Sequence, residues 1–306
     1  MALLDRLVAT TLPIVPKPIV RYFSRRYIAG ERLEDAIRVT RQLNREGAMA
    51  TIDVLGEHVS DPRQCEEAVL AYETVLDAIE AEKLDSNISV KPTHMGLKIS
   101  YELCLNNLRR LVRKAASLNN FVRIDMEDST CTADTIRLYR HLRQEFTNVG
   151  LVLQAYLRRS HQDIEDLLAL KPNVRVCKGI YVEPREIAYK DKEIIRRNFA
   201  WMMETLLRHG SYIGIATHDE RLVWEGYRLV REFRVPPQQY EFQMLLGVDD
   251  QLRRIILRDG HRLRVYVPFG REWYAYSLRR LRENPQIAGY VFRALFRRDG
   301  QAPGAN

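Results

Sequence analysis

Short apolar runs alternate with longer segments of helical periodicity along most of the chain. Nearly continuous apolar runs are typical of strands that are buried on both faces. Between them, apolar residues recur at helical spacing, for example at 65–79, 103–116, 132–146, 191–207 and 221–233. A strand followed by a helix, repeated in this way, predicts an α/β fold with a (βα)8 barrel of the TIM type, somewhat distorted. The expected strands lie at 48–55, 88–91, 121–126, 151–156, 174–178, 212–217, 240–245 and 263–267.

A doubly wound open sheet is the alternative interpretation of the same alternation. No GxGxxG follows any of the apolar runs, and that turn is the usual nucleotide-binding signal of the open sheet. The barrel is therefore favoured. We expect residues 1–45 to form an N-terminal helical arm, with a helix at 33–43. Residues 46–306 would form the catalytic barrel, with a C-terminal helix over its mouth and a tail.

The composition fits one barrel with reduced thiols. The chain has 306 residues, 46% of them hydrophobic, which suffices for a large core. Its four cysteines include no CxxC pair, so we expect neither a zinc ribbon nor a disulfide framework. Asp5 and Arg6 interrupt the apolar N-terminus, and no uncharged apolar run approaches the roughly 20 residues that span a bilayer. We expect a cytoplasmic protein, with at most peripheral contact on the inner face of the cell membrane.

The net charge of +8, with a pI near 9.3, limits the kinds of binding partner that we expect. Such a balance suits an anionic ligand, an anionic membrane surface or nucleic acid. The sequence has neither zinc-finger spacing nor an RRM signature, so nucleic acid is not expected. Peripheral membrane contact remains open, and so does the simpler interpretation of a solvated basic face.

Polar residues stand at or just after the ends of all eight expected strands. Any one of them alone suits a structural ion pair, but a polar rim suits a ligand with anionic and hydrogen-bonding groups. No HExxH motif, metal cluster or GxSxG elbow accompanies them, so no metal is expected. The rim residues are Asp53, Glu57, Lys91, Asp125, Glu127, Gln154, Tyr156, Arg175, Lys178, Tyr181, Thr217, His218, Asp219, Gln243 and Tyr266.

A basic pair follows the last expected strand. Tyr276 and Arg280 are four residues apart and share a face if this segment is helical. If the helix caps the barrel mouth, Arg279 and Arg280 suit a carboxylate, which a guanidinium binds in a charge-assisted fork. The alternative is a solvated basic helix.

These segments together resemble the proline dehydrogenase family, in the family's order, from about residue 45 to 285. The size is similar to that of the single-activity bacterial enzymes. The segments read DVLGE at 53–57, SVK at 89–91, RIDME at 123–127, QAY at 154–156, RVCKGIY at 175–181, ATH at 216–218, EFQML at 241–245 and RVYVP at 264–268, followed by Tyr276 and Arg279-Arg280-Leu281.

The resemblance implies oxidation of L-proline to 1-pyrroline-5-carboxylate, with hydride passing from proline C5 to N5 of a noncovalent FAD. It further implies a membrane quinone as electron acceptor. The product would pass to a separate pyrroline-5-carboxylate dehydrogenase, because the chain has no room for the aldehyde dehydrogenase segment of fused relatives. Two residues depart from the common pattern: Ile180 stands where many relatives carry Ala, and Pro92 follows Lys91.

The resemblance also implies a role for each site residue. Asp125 would order the site and Arg175 would lie near flavin N5, as the catalytic pair. Substrate would contact Lys91, Leu245, Tyr266, Tyr276, Arg279 and Arg280, the two arginines through its carboxylate. FAD would contact Met126, Gln154, Arg175, Lys178, Gly179, Ile180, Thr217 and His218. Glu57 would be a gate that pairs with Arg279.

Two other functions stay open on the residues alone. A different barrel enzyme, a lyase or isomerase, would use Lys91 as a Schiff base, which needs a neutral amine. A basic module without catalysis would bind membrane or nucleic acid, with strong salt dependence.

Overall fold

Eight parallel strands close into one barrel, which confirms the predicted (βα)8 fold. The computed structural model describes residues 25–274 and 276–277. The strands follow one another around the barrel in sequence order, and β8 pairs with β1, from Met49↔Arg264 to Val54↔Phe269. Their bounds are β1 Met49–Val54, β2 Ser86–Val90, β3 Val122–Ile124, β4 Val149–Gln154, β5 Asn173–Cys177, β6 Tyr212–Ala216, β7 Tyr240–Leu245 and β8 Leu263–Phe269.

Helices cover the outside of the barrel. Most of them begin at a side chain that caps the first turn: Asp61, for example, accepts from the amide of Arg63, and Pro62 follows it. The helices are α1 Leu33–Arg45, α2 Pro62–Ala81, α3 Tyr101–Ser117, α4 Ser129–Glu145, α5 Ser160–Glu165, α6 Lys192–Arg208, α7 Glu220–Glu232 and α8 Asp250–Arg258. None of these described helices combines the length and the apolar composition needed to cross a membrane.

The helix α1 packs against β1 and β8, with Ala36 and Leu43 buried in the main core. It therefore covers the seam at which the barrel closes. The rest of the predicted N-terminal arm before residue 25 lies outside the described residues. So does the greater part of the predicted C-terminal helix over the mouth, including Arg279 and Arg280.

The barrel interior is polar, whereas the layer between strands and helices is apolar. Arg175 on β5 reaches Asp125 after β3 and Gln243 on β7, contacts between non-neighbouring strands that only the interior allows. On the outer side, Leu76 and Leu108 are fully buried among the helices. The interior thus carries charge inside a shell of low polarity, where electrostatic contacts are strong.

Candidate functional site

A cavity of about 570 Å³ opens among the carboxyl ends of the strands. In (βα)8 barrels, the loops that follow the strands at this end hold the ligands. Of the residues that the sequence singled out for catalysis, substrate or cofactor, the cavity is lined by Lys91, Asp125, Met126, Gln154, Arg175, Lys178, Gly179, Ile180, Thr217, His218, Leu245, Tyr266 and Tyr276.

Arg175 and Asp125 form a buried ion pair at the floor of this cavity. Arg175 Nη1 donates to Asp125 Oδ1 at 2.7 Å. Ser89 Oγ donates to the same oxygen at 2.6 Å and accepts from Arg175 Nη1 at 3.2 Å. A carboxylate that accepts two hydrogen bonds on one oxygen is held firmly, and so is the guanidinium opposite.

Lys91 and Asp53 form a second buried pair. Lys91 Nζ donates to both oxygens of Asp53, at 2.7 and 2.8 Å, and Tyr72 OH donates to Asp53 Oδ1 at 3.1 Å. Burial raises the pKa of the Asp53 carboxyl, while the neighbouring Lys91 opposes this shift. The contact of Lys91 Nζ with both oxygens of Asp53 stabilises the protonated ammonium over the neutral amine that a Schiff-base lysine requires.

Tyr266 joins the two pairs. Its hydroxyl donates to Asp125 Oδ2 at 2.9 Å and accepts from Lys91 Nζ at 3.4 Å. The Arg175 guanidinium lies 5.5 Å from the centre of its ring, within range of a cation–π contact. Burial, followed by the charges of Asp125 and Asp53, raises the pKa of this phenol, so it stays a hydrogen-bond donor at neutral pH.

The opposite wall combines backbone and amide groups. Gly179 has φ +99°, and a Cβ at this position would overlap the ring of Tyr156. Gln154 Nε2 donates to the carbonyls of Met126 and Glu127, at 3.2 and 3.1 Å. Its Oε1 is buried and has no hydrogen-bond partner among the described residues. The wall therefore offers a buried acceptor beside close-packed backbone.

The strand β6 and its loop contribute further polar groups. His218 Nε2 accepts from the Leu245 amide at 3.1 Å, and Thr217 Oγ1 accepts from the Asp219 amide at 3.0 Å. Lys178 Nζ and Arg196 Nε both donate to Asp219 Oδ2, at 2.5 and 2.7 Å. Two cations thus converge on one carboxylate oxygen at this edge of the cavity.

Glu57 does not line the main cavity but a neighbouring pocket of about 610 Å³, and Lys91 and Tyr276 line both. Its expected partner Arg279 is outside the described residues.

Ligand atoms of Glu57, His58 and Glu127 come within 4.8 Å of one another. Both oxygens of Glu127, however, already accept from Thr93, at 2.8 and 2.5 Å.

The sequence placed Asp53 and Gln243 on the polar rim without a role in binding or catalysis, and it did not single out Ser89; all three complete the floor. Ser89 and Asp53 hold the two cations, and Gln243 Oε1 accepts from Arg175 Nε at 2.5 Å. The available signal was alternation: Glu241, Gln243 and Leu245 occupy every second position of β7 and so share its inner face.

Comparisons with known proteins identify relatives of this chain. The family model described as "Proline dehydrogenase" matches residues 36–293. The chain is similar to "Proline dehydrogenase 1" of Bacillus subtilis (strain 168), with 37% identity over 278 residues that cover 91% of this chain and 92% of the relative. It is also similar to "Proline dehydrogenase" of Deinococcus radiodurans, with 36% identity and 89% of each chain covered.

Among solved structures, proline utilization A (PutA) from Bdellovibrio bacteriovorus, inactivated by N-propargylglycine, superposes with a TM-score of 0.81 at 24% identity. That match covers 92% of this chain and 34% of the larger protein, and it supports the fold. With the family model matching most of the sequence, the chain belongs to the proline dehydrogenase family.

Proposed function

We propose that this protein oxidises L-proline to 1-pyrroline-5-carboxylate with a noncovalently bound FAD, the first step of proline catabolism. The observation that carries the proposal is the cavity floor, where Tyr266 links the Arg175–Asp125 pair to the Lys91–Asp53 pair. A floor of this kind, in a chain of this family, suits a small zwitterionic substrate beneath a planar cofactor.

The residues on the opposite wall fit FAD. Gln154 Oε1, which has no hydrogen-bond partner within the part of the chain that the structure describes, is a buried acceptor that a flavin ring N–H would satisfy. The absence of a side chain at Gly179 lets the Tyr156 ring pack against this wall. Lys178 and Arg196, which share Asp219, suit a pyrophosphate. The residues that would hold FAD are Met126, Gln154, Arg175, Lys178, Gly179, Ile180, Thr217 and His218.

The reaction divides between the cofactor and the chain. When bound, FAD would supply the oxidising power by taking up the hydride that proline loses from C5. Arg175, anchored by Asp125, presents a fixed positive charge to the cavity. Tyr266 and Leu245 would pack against the pyrrolidine ring together with Tyr276 and keep water out. Arg279 and Arg280, outside the described residues, would bind the substrate carboxylate.

The charges on the floor bear on the substrate amine, which must be neutral for its lone pair to drive hydride loss. Asp53 balances Lys91, and Asp125 balances Arg175. Because both floor pairs are balanced, the positive charge near the amine would come from Arg279 and Arg280, and it would disfavour a protonated amine beside them. In this proposal Glu57 pairs with Arg279 when substrate is bound and closes the entrance.

We further propose a membrane quinone as electron acceptor, and a separate pyrroline-5-carboxylate dehydrogenase as the enzyme that consumes the product. The basic surface would support peripheral contact with anionic lipid. Co-sedimentation with vesicles containing phosphatidylglycerol, at low and high salt, tests the contact. Pelleting at low salt that is lost at high salt supports it, and no pelleting at either salt refutes it.

A visible spectrum tests the central proposal. The purified protein should be yellow and should bleach under anaerobic conditions when L-proline is added. A protein that neither binds FAD nor reacts with proline contradicts it. The Schiff-base alternative predicts instead that borohydride traps a substrate adduct on Lys91, and the Lys91–Asp53 pair argues against such an adduct.

A further inference from the structure

A buried carboxylate lies beneath the catalytic floor. Glu241 on β7 is 1% exposed. Its oxygens accept from Arg264 Nε and Tyr212 OH, both at 2.8 Å. Burial acts to raise the pKa of Glu241, but Arg264 and the hydrogen bond from Tyr212 outweigh it and hold the pKa at about 2. Glu241 is therefore a fixed anion that only accepts hydrogen bonds.

This anion determines which way the Gln243 carboxamide faces. Gln243 Nε2 donates to Glu241 Oε1 at 2.5 Å, and Gln243 Oε1 accepts from Arg175 Nε at 2.5 Å. A flipped amide would set its oxygen against the carboxylate and its NH2 against the guanidinium, and both contacts would be repulsive. The chemistry of the two neighbours thus allows one orientation.

The Arg175 guanidinium is consequently held at two separate points. Asp125 and Ser89 bind Nη1, and Gln243 binds Nε. Nη2 makes no hydrogen bond within the described part of the chain. One anchor would leave the planar group free to turn about that contact, whereas two fix its plane and aim Nη2.

The fold makes room for this arrangement on the intervening strand. Gly214 on β6 pairs with Arg175 on one side and with Glu241 on the other. A Cβ at Gly214 would lie 2.5 Å from Gln243 Nε2 and 2.9 Å from its Cδ. The carboxamide therefore occupies the space that a side chain on β6 would take.

We propose that Gln243 is a positioning residue for the redox step, which orients Arg175 through the chain Glu241–Gln243–Arg175. The inference rests on the proposed function, in which Arg175 faces the flavin. A preorganised cation stabilises developing negative charge only while its position is fixed. Losing the Gln243 anchor would weaken stabilisation of the reduced cofactor without touching the groups that bind proline.

Two variants test this in different ways. Gln243→Met removes both hydrogen bonds at similar volume, and Gly214→Ala displaces the carboxamide while keeping every functional group. For each, we would measure the midpoint potential of the bound flavin, kcat and KM for proline, FAD content and the melting temperature. The matched control is Gly226→Ala on helix α7. Its Cβ would lie 2.9 Å from Phe242, which is on the outer face of β7, the strand that also carries Gln243.

We expect Gln243→Met to shift the potential to a more negative value. A tenfold weaker preference for the reduced cofactor corresponds to about 30 mV for a two-electron couple. kcat should fall about tenfold or more, since a misplacement of about 1 Å costs up to roughly a hundredfold. KM should change by less than about twofold. Gly214→Ala should act in the same direction, and Gly226→Ala should leave the potential unchanged.

An unchanged potential and kcat in flavin-loaded Gln243→Met overturn the proposal. A potential that shifts equally in Gly226→Ala does so as well, because the effect is then general to the packing. If Gln243→Met does not fold, Gly214→Ala decides by the same criteria. Failure of the proposed function is separate, since wild-type protein would then lack flavin or leave proline unchanged.

Discussion

Lys91 donates two hydrogen bonds to Asp53, at 2.7 and 2.8 Å, with the lysine 7% exposed and the aspartate 0%. The pair lies at the junction of the main cavity and the neighbouring pocket, both of which Lys91 lines. Two buried charges in such contact depend on each other, because the loss of either partner leaves the other unpaired in a medium of low polarity.

We therefore expect Lys91→Met to cost about 3–5 kcal/mol of unfolding free energy, since it isolates the Asp53 carboxylate. Adding Asp53→Asn should recover much of that loss, because the neutral amide still accepts from Tyr72. Urea unfolding of wild type, the two single variants and the double variant measures this coupling. A double variant that loses the sum of the two single effects would show that the pair is not coupled.

Tyr266→Ser should shift substrate preference toward 4-hydroxyproline. The phenol occupies the cavity floor and donates to Asp125 at 2.9 Å, so a ring hydroxyl on the substrate would crowd it. Serine opens space and offers a hydroxyl of its own, while proline loses aromatic contact. The ratio of kcat/KM for hydroxyproline over proline should rise, although kcat/KM for proline itself falls.

Tyr266→Phe is the matched control for that experiment. It keeps the ring volume and removes only the hydrogen bonds to Asp125 and Lys91. Activity on proline should fall without a gain for hydroxyproline. Equal losses for the two substrates in flavin-loaded Tyr266→Ser would rule out the specificity role.

Arg280→Met should weaken proline binding, because a charge-assisted contact with a carboxylate contributes roughly 1.5–3 kcal/mol. KM should rise by about ten- to a hundredfold, with FAD still bound. Steady-state kinetics and the flavin spectrum of the same preparation check both statements. Arg258→Met, at an exposed position at the end of α8, is the control and should leave KM unchanged. An unaltered KM in Arg280→Met would place that arginine on the surface.

Gly179→Ala should reduce FAD binding. The added methyl group would overlap Tyr156, and φ of +99° disfavours any side chain. Gly210→Ala is the control, since Gly210 also has positive φ, +68°, but no atom of residues 25–274 or 276–277 lies within 4 Å of the added Cβ. Flavin fluorescence titration should show weaker binding for Gly179→Ala alone. Equal affinities for the two variants would mean that the Tyr156 contact does not shape the cofactor site.

His94 should make stability depend on pH. Burial, followed by the charge of Lys91, lowers the pKa of its imidazole from 6.5 to about 4, while Glu57 acts in the opposite direction. Between pH 6.5 and pH 4 the unfolded chain binds a proton at this imidazole that the folded protein does not bind. The folded protein is therefore less stable as the pH falls from 6.5 toward 4. The loss from pH 7 to pH 5 should be roughly 2 kcal/mol.

Replacing His94 by Gln should flatten that dependence. Urea unfolding at pH 7 and pH 5 would compare wild type with His94→Gln and with His209→Gln, a change at an exposed imidazole. The flattening should occur only at His94. The same slope in all three proteins would place the acid sensitivity elsewhere.

Much of the barrel was predictable from the sequence, because each strand is a short apolar run between turns. The run at 240–245 has the same bounds as β7, Tyr240–Leu245, whereas the run at 121–126 is longer than β3, Val122–Ile124. There the chain leaves the sheet before Asp125, which faces the cavity. The six-residue helix Ser160–Glu165 was not predicted, since one and a half turns carry too little periodicity.

The site was predictable as a location but only partly as a network. The ends of the predicted strands indicate where polar groups gather, and on that basis Lys91, Arg175 and Tyr266 were expected at one site. The three residues do line one cavity. The contact between Arg175 and Gln243 joins strands separated by β6, and it depends on Gly214 having no side chain. Periodicity along one strand contains no information about a neighbour across the barrel.

The position of α1 has a consequence for the order in which the protein can mature. This helix precedes all eight strands in the chain and is synthesised before them, yet its docking surface is the seam between β1 and β8, the last of the eight strands to be synthesised. Until then β1 and β7 each present an unpaired strand edge, the kind of surface that recruits other chains. A nascent or truncated chain that stops before Leu263 therefore exposes two such edges and an undocked amphipathic helix, which makes it a natural client for chaperones and proteases.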